Sequence, residues 1–318
     1  MTPRRPAPAR AHNDGVGTAI EVEGLVKRYG RKVAVDGVSL SVADGEAFGY
    51  VGPNGAGKTT TIRSMLGFVR PSAGRIRILG HDVATDLNAV LAEVGHLPGE
   101  FGLWPQMTGD ECLDYLGALQ RRPLVRRREL CDRLELSQAE LRRQVRTYSR
   151  GMKQKIGIIQ AFQHEPRVLV LDEPTEGLDP VMKERFVGLL AEHRQAGGTT
   201  FLSSHILSEV EETTERVAVL KAGRIVRTGA TADLTGERVR HCTLVLKQPL
   251  ADAAGLDVEG VSGMESDGLV HRFEFRGDME PLMRRLGTFA VQEFLSEPEH
   301  LAETFFEIYG DPGTGRAR

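Results

Sequence analysis

The stretch Phe48-Gly-Tyr-Val-Gly-Pro-Asn-Gly-Ala-Gly-Lys-Thr59, running on into Thr60-Thr-Ile-Arg-Ser-Met-Leu66, decides the fold. Phe48–Val51 reads as a short apolar strand. Gly52 opens a glycine-rich loop, and Thr59–Leu66 begins a helix. The loop has the spacing G-x-x-x-x-G-K-[ST], and each residue type has a physical reason. Small residues let successive backbone N–H groups turn inward around an anion. The following helix adds its unsatisfied N–H groups and the positive end of its dipole. Lys58 can reach β- and γ-phosphates, and the Thr59 hydroxyl can ligate Mg²⁺. With Gly at ~7% of an average chain, roughly one accidental match arises per hundred chains of this length. Gly52, Pro53, Asn54, Gly55, Ala56, Gly57, Lys58, Thr59 and Thr60 are therefore candidate contacts to a nucleotide phosphate chain.

Further along, Val168-Leu-Val-Leu-Asp-Glu173 is an apolar strand that ends in two acids. Acids at the carboxyl end of a buried strand stand where ligands bind in open α/β sheets. Asp172 suits Mg²⁺, directly or through water, and Glu173 suits a general base for an attacking water. Read alone, the pair could equally cap a helix. His205 lies just beyond the strand Thr199–Ser203, within reach of a γ-phosphate or its attacking water, although a lone His is more often a surface or core residue.

Around these motifs, strands alternate with helices. Ala19–Leu25 and Val38–Val42 alternate in polarity, as half-exposed strands do. Pro180 stands at the first turn of a helix running through Leu190, where Pro is tolerated. Val217–Leu220 is a further strand, and Lys221-Ala-Gly-Arg224 a hairpin turn. The alternation predicts an α/β core with a largely parallel sheet. Gly109–Gln163 reads as helical and interrupts it, as an inserted subdomain. Gly229–Gly236 reads as a linker. Beyond it, His241–Lys247 and Val270–Phe275 alternate like half-buried strands, and Leu301, Phe305, Ile308 and Tyr309 share a helical face. These predict a small C-terminal α+β domain.

The chain has 318 residues, 40% of them hydrophobic, and a formal net charge of -3. No run approaches the ~18–20 uncharged apolar residues of a membrane-spanning helix. The mixed charge argues against nucleic-acid binding through a basic surface. The basic run Arg121–Arg128 reads as a solvated helix face, with a lipid or partner contact as the alternative. Three widely spaced cysteines, Cys112, Cys131 and Cys242, form neither a disulfide framework nor a zinc pattern. The Pro-, Ala- and Arg-rich N-terminus lacks the apolar core of a signal peptide. A cytoplasmic location is expected.

Five motifs in order carry a resemblance: Gly52–Thr59, Tyr148-Ser-Arg-Gly-Met152, Leu171-Asp-Glu-Pro174, Gly177-Leu-Asp179 and Ser204-His205. Over about Ala19–Leu234 the chain resembles the ATP-binding-cassette (ABC) family. The resemblance implies a P-loop ATPase core with an antiparallel β subdomain and a helical insertion at about 109–163. It also implies ATP and Mg²⁺ as cofactors, with Thr59 and Asp172 at the metal and Glu173 and His205 in catalysis. Tyr29 would stack on adenine. Ser149, Arg150 and Gly151 would meet the ATP of an opposite subunit, and Asp179 would communicate between subunits. Two copies would close head-to-tail as a homodimer and drive separate membrane-spanning subunits from the cytoplasmic face of the membrane, with no nucleic acid as partner. The tail Pro298–Gly310 resembles that of bacterial drug, lipid and polysaccharide exporter cassettes. The expected organisation is a tail over 1–18, the ATPase over 19–234, an accessory domain over 237–311 and a tail over 312–318.

The chain departs from the family in two places. Gly99 stands where the family has a glutamine, and Glu100 follows it. Glu100 could take over part of that glutamine's role at Mg²⁺, or be a solvent-exposed acid. Leu103 and Trp104 either pack in a core or line the groove for the membrane subunit. In the signature, Tyr148, Arg150 and Met152 replace Leu, Gly and Gln. Arg150 either contacts phosphate across the interface or extends into solvent. The rival to a transporter subunit is a soluble ABC ATPase acting on ribosomes or nucleic acid. Such proteins usually carry two cassettes or long coiled-coil insertions, and neither is visible here.

Overall fold

A computed structural model of the chain describes residues 17–120, 124–234, 239–249, 256 and 258–298. Its strands are β1 (Thr18–Tyr29), β2 (Lys32–Ala43), β3 (Ala47–Val51), β4 (Ala73–Ile78), β5 (His81–Asp82), β6 (Val94–Leu97) and β7 (Val168–Asp172). They continue with β8 (Thr199–Ser204), β9 (Arg216–Lys221), β10 (Arg224–Ala230), β11 (Arg240–Leu246), β12 (Val261–Asp267), β13 (Val270–Phe275) and β14 (Val291–Pro298). The helices are α1 (Lys58–Met65), α2 (Leu87–Glu93), α3 (Gly109–Gln120), α4 (Arg127–Arg133), α5 (Gln138–Leu141) and α6 (Arg150–Phe162). After them come α7 (Pro180–Gln195), α8 (Leu207–Thr213), α9 (Thr231–Leu234) and α10 (Met279–Leu286).

The central sheet runs β10-β9-β3-β8-β7-β6. Its pairings are parallel from β6 through β9, and β10 closes one edge antiparallel to β9. Both faces of this sheet are covered, which is why its strands read as continuous apolar runs rather than alternating ones. The period of two is still present in what each side chain meets. Val168 and Val170 join Phe48, Tyr50 and Phe201 in a core shared with the antiparallel sheet β2-β1-β4-β5. Leu169 and Leu171 join Leu202 and the helices of the inserted block in a second core. Full burial of each such side chain contributes about 1.5–3 kcal/mol.

A third sheet, β12-β13-β11-β14, is antiparallel throughout. Cys242, Leu244, Phe273 and Phe275 from its inner face pack on Leu282 and Leu286 of α10. The predicted linker needs correction. Gly229 and Ala230 end β10, and Thr231–Leu234 form the short helix α9, anchored by a bond from Thr231 N to Glu215 O at 2.8 Å. The N-terminal tail, the start of the Arg121–Arg128 run, Leu301, Phe305, Ile308, Tyr309 and nearly all of Pro298–Gly310 lie outside the described residues. Among the described residues, no helix is long and apolar enough to cross a membrane.

Candidate active site

Four parallel strands, β3, β8, β7 and β6, end side by side, so the loops leaving their carboxyl ends converge. The loop after β3 is the glycine-rich one. Gly57 caps α1 at φ 116°, where a Cβ would stand 2.6 Å from the carbonyl of Ala34. Glycine is needed here for both conformation and space. The Lys58 ammonium, 6% exposed, folds back onto its own loop and donates to Gly52 O at 2.6 Å.

An open cleft lies over this loop, walled by Pro53, Asn54, Gly55, Gly57, Lys58, Thr59 and Thr60. Tyr29, Lys32 and Ala34 close one side and Glu173 the other. Tyr29 is at the end of β1, 47% exposed, with the Lys27 ammonium 5.0 Å from its ring centre. Gly52 and Ala56 do not face the cleft. A Cβ on Gly52 would meet the Leu220 carbonyl, and Ala56 is buried in the core. The side-chain positions of these two residues thus face the core side of the loop, which leaves phosphate contact there to the backbone.

Asp172 ends β7, 3% exposed. Its Oδ2 accepts from the Thr59 hydroxyl at 2.8 Å, and its Oδ1 accepts from Ser203 Oγ on β8. The metal fit can be tested on this pair. The Thr59 hydroxyl and the Asp172 carboxylate meet at the mouth of the phosphate loop, 2.8 Å apart. Both are hard oxygen donors, so the residues present fit Mg²⁺. Ser203 was not anticipated. Its signal was its place at the end of β8, beside the acid strand.

Glu173 has φ 49°, in the left-handed region that a non-glycine residue enters at a cost of about 1–3 kcal/mol. The turn is held by a bond from Glu173 N to Ser203 O at 3.0 Å. Oε2 accepts from His205 Nδ1 at 2.7 Å and from His205 N at 3.3 Å. Oε1 is an ion-pair neighbour of the Lys58 ammonium at 3.2 Å, without the alignment of a hydrogen bond. Cradle, acid and histidine, 147 residues apart in the chain from Lys58 to His205, thus meet in one place.

The remaining expected residues lie elsewhere. Ser149, Arg150 and Gly151 open α6 and are not among the described residues walling the cleft. Ser149 Oγ caps the helix by accepting from Met152 N at 3.2 Å. The Arg150 side chain is 68% exposed, and its guanidinium pairs with Glu176 of the same chain. Its aliphatic stem lies over Gly177. Asp179 caps α7, accepting from Met182 N at 3.0 Å. Tyr148 is buried, and its hydroxyl donates to Glu140 O at 2.7 Å. Burial raises its pKa to about 12.

The position facing Asp172 is Gly99, where a Cβ would stand 3.5 Å from Oδ2. Glu100, next along, is exposed. Leu103 packs against the core of the helical block. Trp104 is 43% exposed and meets the Tyr115 ring edge-on, 4.9 Å between centres. Leu103 thus meets the core reading, and Trp104 stays partly exposed.

Fold and cleft together define a P-loop ATPase. Residues 35–176 match the ABC transporter family. Daunorubicin resistance ATP-binding protein DrrA3 of Streptomyces coeruleorubidus is 34% identical over 307 residues, 92% of this chain and 96% of that protein. Nod factor export ATP-binding protein I of Paraburkholderia xenovorans is 36% identical over 310 residues, 92% and 97% of the two chains. Bacitracin transport ATP-binding protein BcrA of Bacillus licheniformis is 37% identical over 214 residues, 66% and 69%. Among solved structures, an ATP-binding subunit of an ABC transporter superposes with a TM-score of 0.64 at 28% identity, over 69% of this chain and 93% of that one. A dimeric post-hydrolysis cassette bound to ADP and phosphate shares the fold, with a TM-score of 0.59 at 22% identity over 66% and 98%. The chain belongs to the ABC transporter family, as an ATP-binding and ATP-hydrolysing subunit.

Proposed function

We propose that the chain powers an exporter whose membrane-spanning subunits are separate polypeptides. The observation that carries this is the reach of the similarity. Relatives named for drug resistance and Nod factor export match 92% of the chain, and so extend beyond the cassette. Two copies would close head-to-tail on two ATP molecules at the cytoplasmic face of the membrane. Each site would pair one copy's cleft with Ser149, Arg150 and Gly151 of the other, and Asp179 would lie at the seam.

In each site the loop Gly52–Thr60 binds the phosphates, and Tyr29 supports the base. Glu173 accepts a proton from the water that attacks the γ-phosphate. His205 orients the carboxylate through the 2.7 Å bond. Thr59 and Asp172 would hold Mg²⁺, which supplies charge neutralisation at the phosphates. Exposed Trp104 would lie toward the membrane subunit, with Leu103 packed against the core of the helical block. Glu100, exposed as it is, would act there rather than at the metal. The soluble alternative, an ATPase on ribosomes or nucleic acid, has no observation in its favour.

Fractionating source cells that carry a tagged chain tests the reading. The chain should sediment with membranes and, after detergent extraction, co-purify with a polytopic membrane protein. Recovery with ribosomes or nucleic acid and none with membranes would contradict it.

A further inference from the structure

Glu173 and His205 sit on two different loops, and their 2.7 Å bond requires those loops to keep a fixed register. One carboxylate outside the cleft ties both. Glu209 of α8 is 13% exposed at its side chain. Its Oε2 accepts from Thr175 Oγ1, two residues past Glu173, and from Ser204 Oγ at 3.4 Å, one residue before His205. Its Oε1 pairs with the Lys183 ammonium of α7 at 2.7 Å. Ser204 Oγ in turn accepts from Ile206 N at 2.9 Å, fixing the backbone just past His205.

We propose that Glu209 is a positioning residue for hydrolysis, holding the Glu173 turn and the His205 loop in register from behind the site. The alternation of β8 makes this possible. Ser203 points to Asp172 and Ser204, on the opposite face, to Glu209. None of Thr175, Lys183, Ser204 or Glu209 walls the nucleotide cleft, so the node acts only through backbone. Its surroundings include Phe186, Val187 and Leu202, an environment in which a carboxylate is costly unless paired. The strained φ of Glu173 persists only where neighbouring structure over-determines it, and the Thr175 bond fixes that same turn.

The inference rests on Glu173 as the general base, so E173Q belongs in the same assay. If E173Q turns over like the wild type, the base assignment fails, whatever Glu209 does. With that control in place, steady-state ATPase of E209A should show kcat lowered ~10- to 100-fold, the scale at which a 1 Å misplacement acts. KM for ATP should stay within about twofold, because the cleft contacts are untouched. T175V should fall in the same direction by less, and E209A/T175V should be no worse than E209A, as members of one network behave. Wild-type kcat in E209A, or a loss carried by KM, would overturn the proposal. If E209A does not fold, T175V decides, since it removes one hydroxyl. Its kcat must fall with KM unchanged, and a wild-type kcat overturns the inference.

Discussion

Arg150 shows how far a residue can be read from sequence. It replaces a glycine of the family signature, and the two sequence alternatives were a phosphate across the interface or solvent. The structure adds a partner within the chain, Glu176, 26 residues away and brought alongside by folding, to a side chain that stays mostly exposed. No local pattern signals that pairing. The same junction is tied by Gln154 Nε2 donating to Pro174 O at 2.7 Å, so the start of α6 and the turn after Glu173 move together. An exposed pair of this kind adds only about 0.2–1 kcal/mol to stability, so its effect should be on geometry rather than on Tm. R150E or E176R alone should weaken ATP-driven dimerisation measured by light scattering, and R150E/E176R should recover it. A double variant no better than R150E would mean that Arg150 itself is the phosphate contact. By contrast, Lys58, Thr59, Asp172 and Glu173 were legible, because their spacing and strand ends are chemical requirements of phosphate and metal binding.

Elements were legible where burial repeats along the chain. The runs at Val168 and Thr199 read as buried strands, and the structure has them at Val168–Asp172 and Thr199–Ser204. The helical block was read as a whole, and its internal starts were missed although their signal was present. Thr108 and Glu111 exchange capping bonds ahead of α3, and Ser137 and Glu140 form the same box on α5. Over Gly229–Leu234 the linker reading gives way to a strand end and a short helix, because glycine and small polar residues suit those as well as a loop. Strand β6 carries a property invisible in sequence. His96 Nδ1 donates to Val170 O at 2.8 Å, and burial pushes its pKa below the ordinary 6.5, with the Val170 carbonyl and then Asp172 opposing. The unfolded chain therefore takes up a proton below pH 6.5 that the folded chain resists. This contribution to stability is complete above that value and is lost as pH falls through the folded pKa. Urea unfolding between pH 7.5 and 5 should accordingly show a smaller acid loss in H96Q than in the wild type. Equal losses would remove His96 from the account.

At the scale of the molecule, the described residues form three sheets and three cores. The sheet β12-β13-β11-β14 and α10 have a core of their own, and we propose that an accessory unit over 237–311 regulates or dimerises rather than catalyses. A chain ending after Leu234 should bind ATP with wild-type affinity in a fluorescent-nucleotide titration. A folded truncation that cannot bind would place the boundary wrongly. Fold class and order were legible because strand, glycine loop and helix recur with acid strands in a fixed sequence. The convergence of loops from β3, β7 and β8 was implied by the parallel sheet, whereas the Glu209 node behind them was not. The central claim is that Glu173 removes the proton from attacking water in a site completed by a second copy. The most direct measurement is ATP turnover of E173Q together with its mass in ATP and Mg²⁺. The account predicts a ~10²–10⁴-fold loss of turnover and a stable ATP-bound dimer. Turnover near the wild type, or a monomer at saturating ATP, would contradict it.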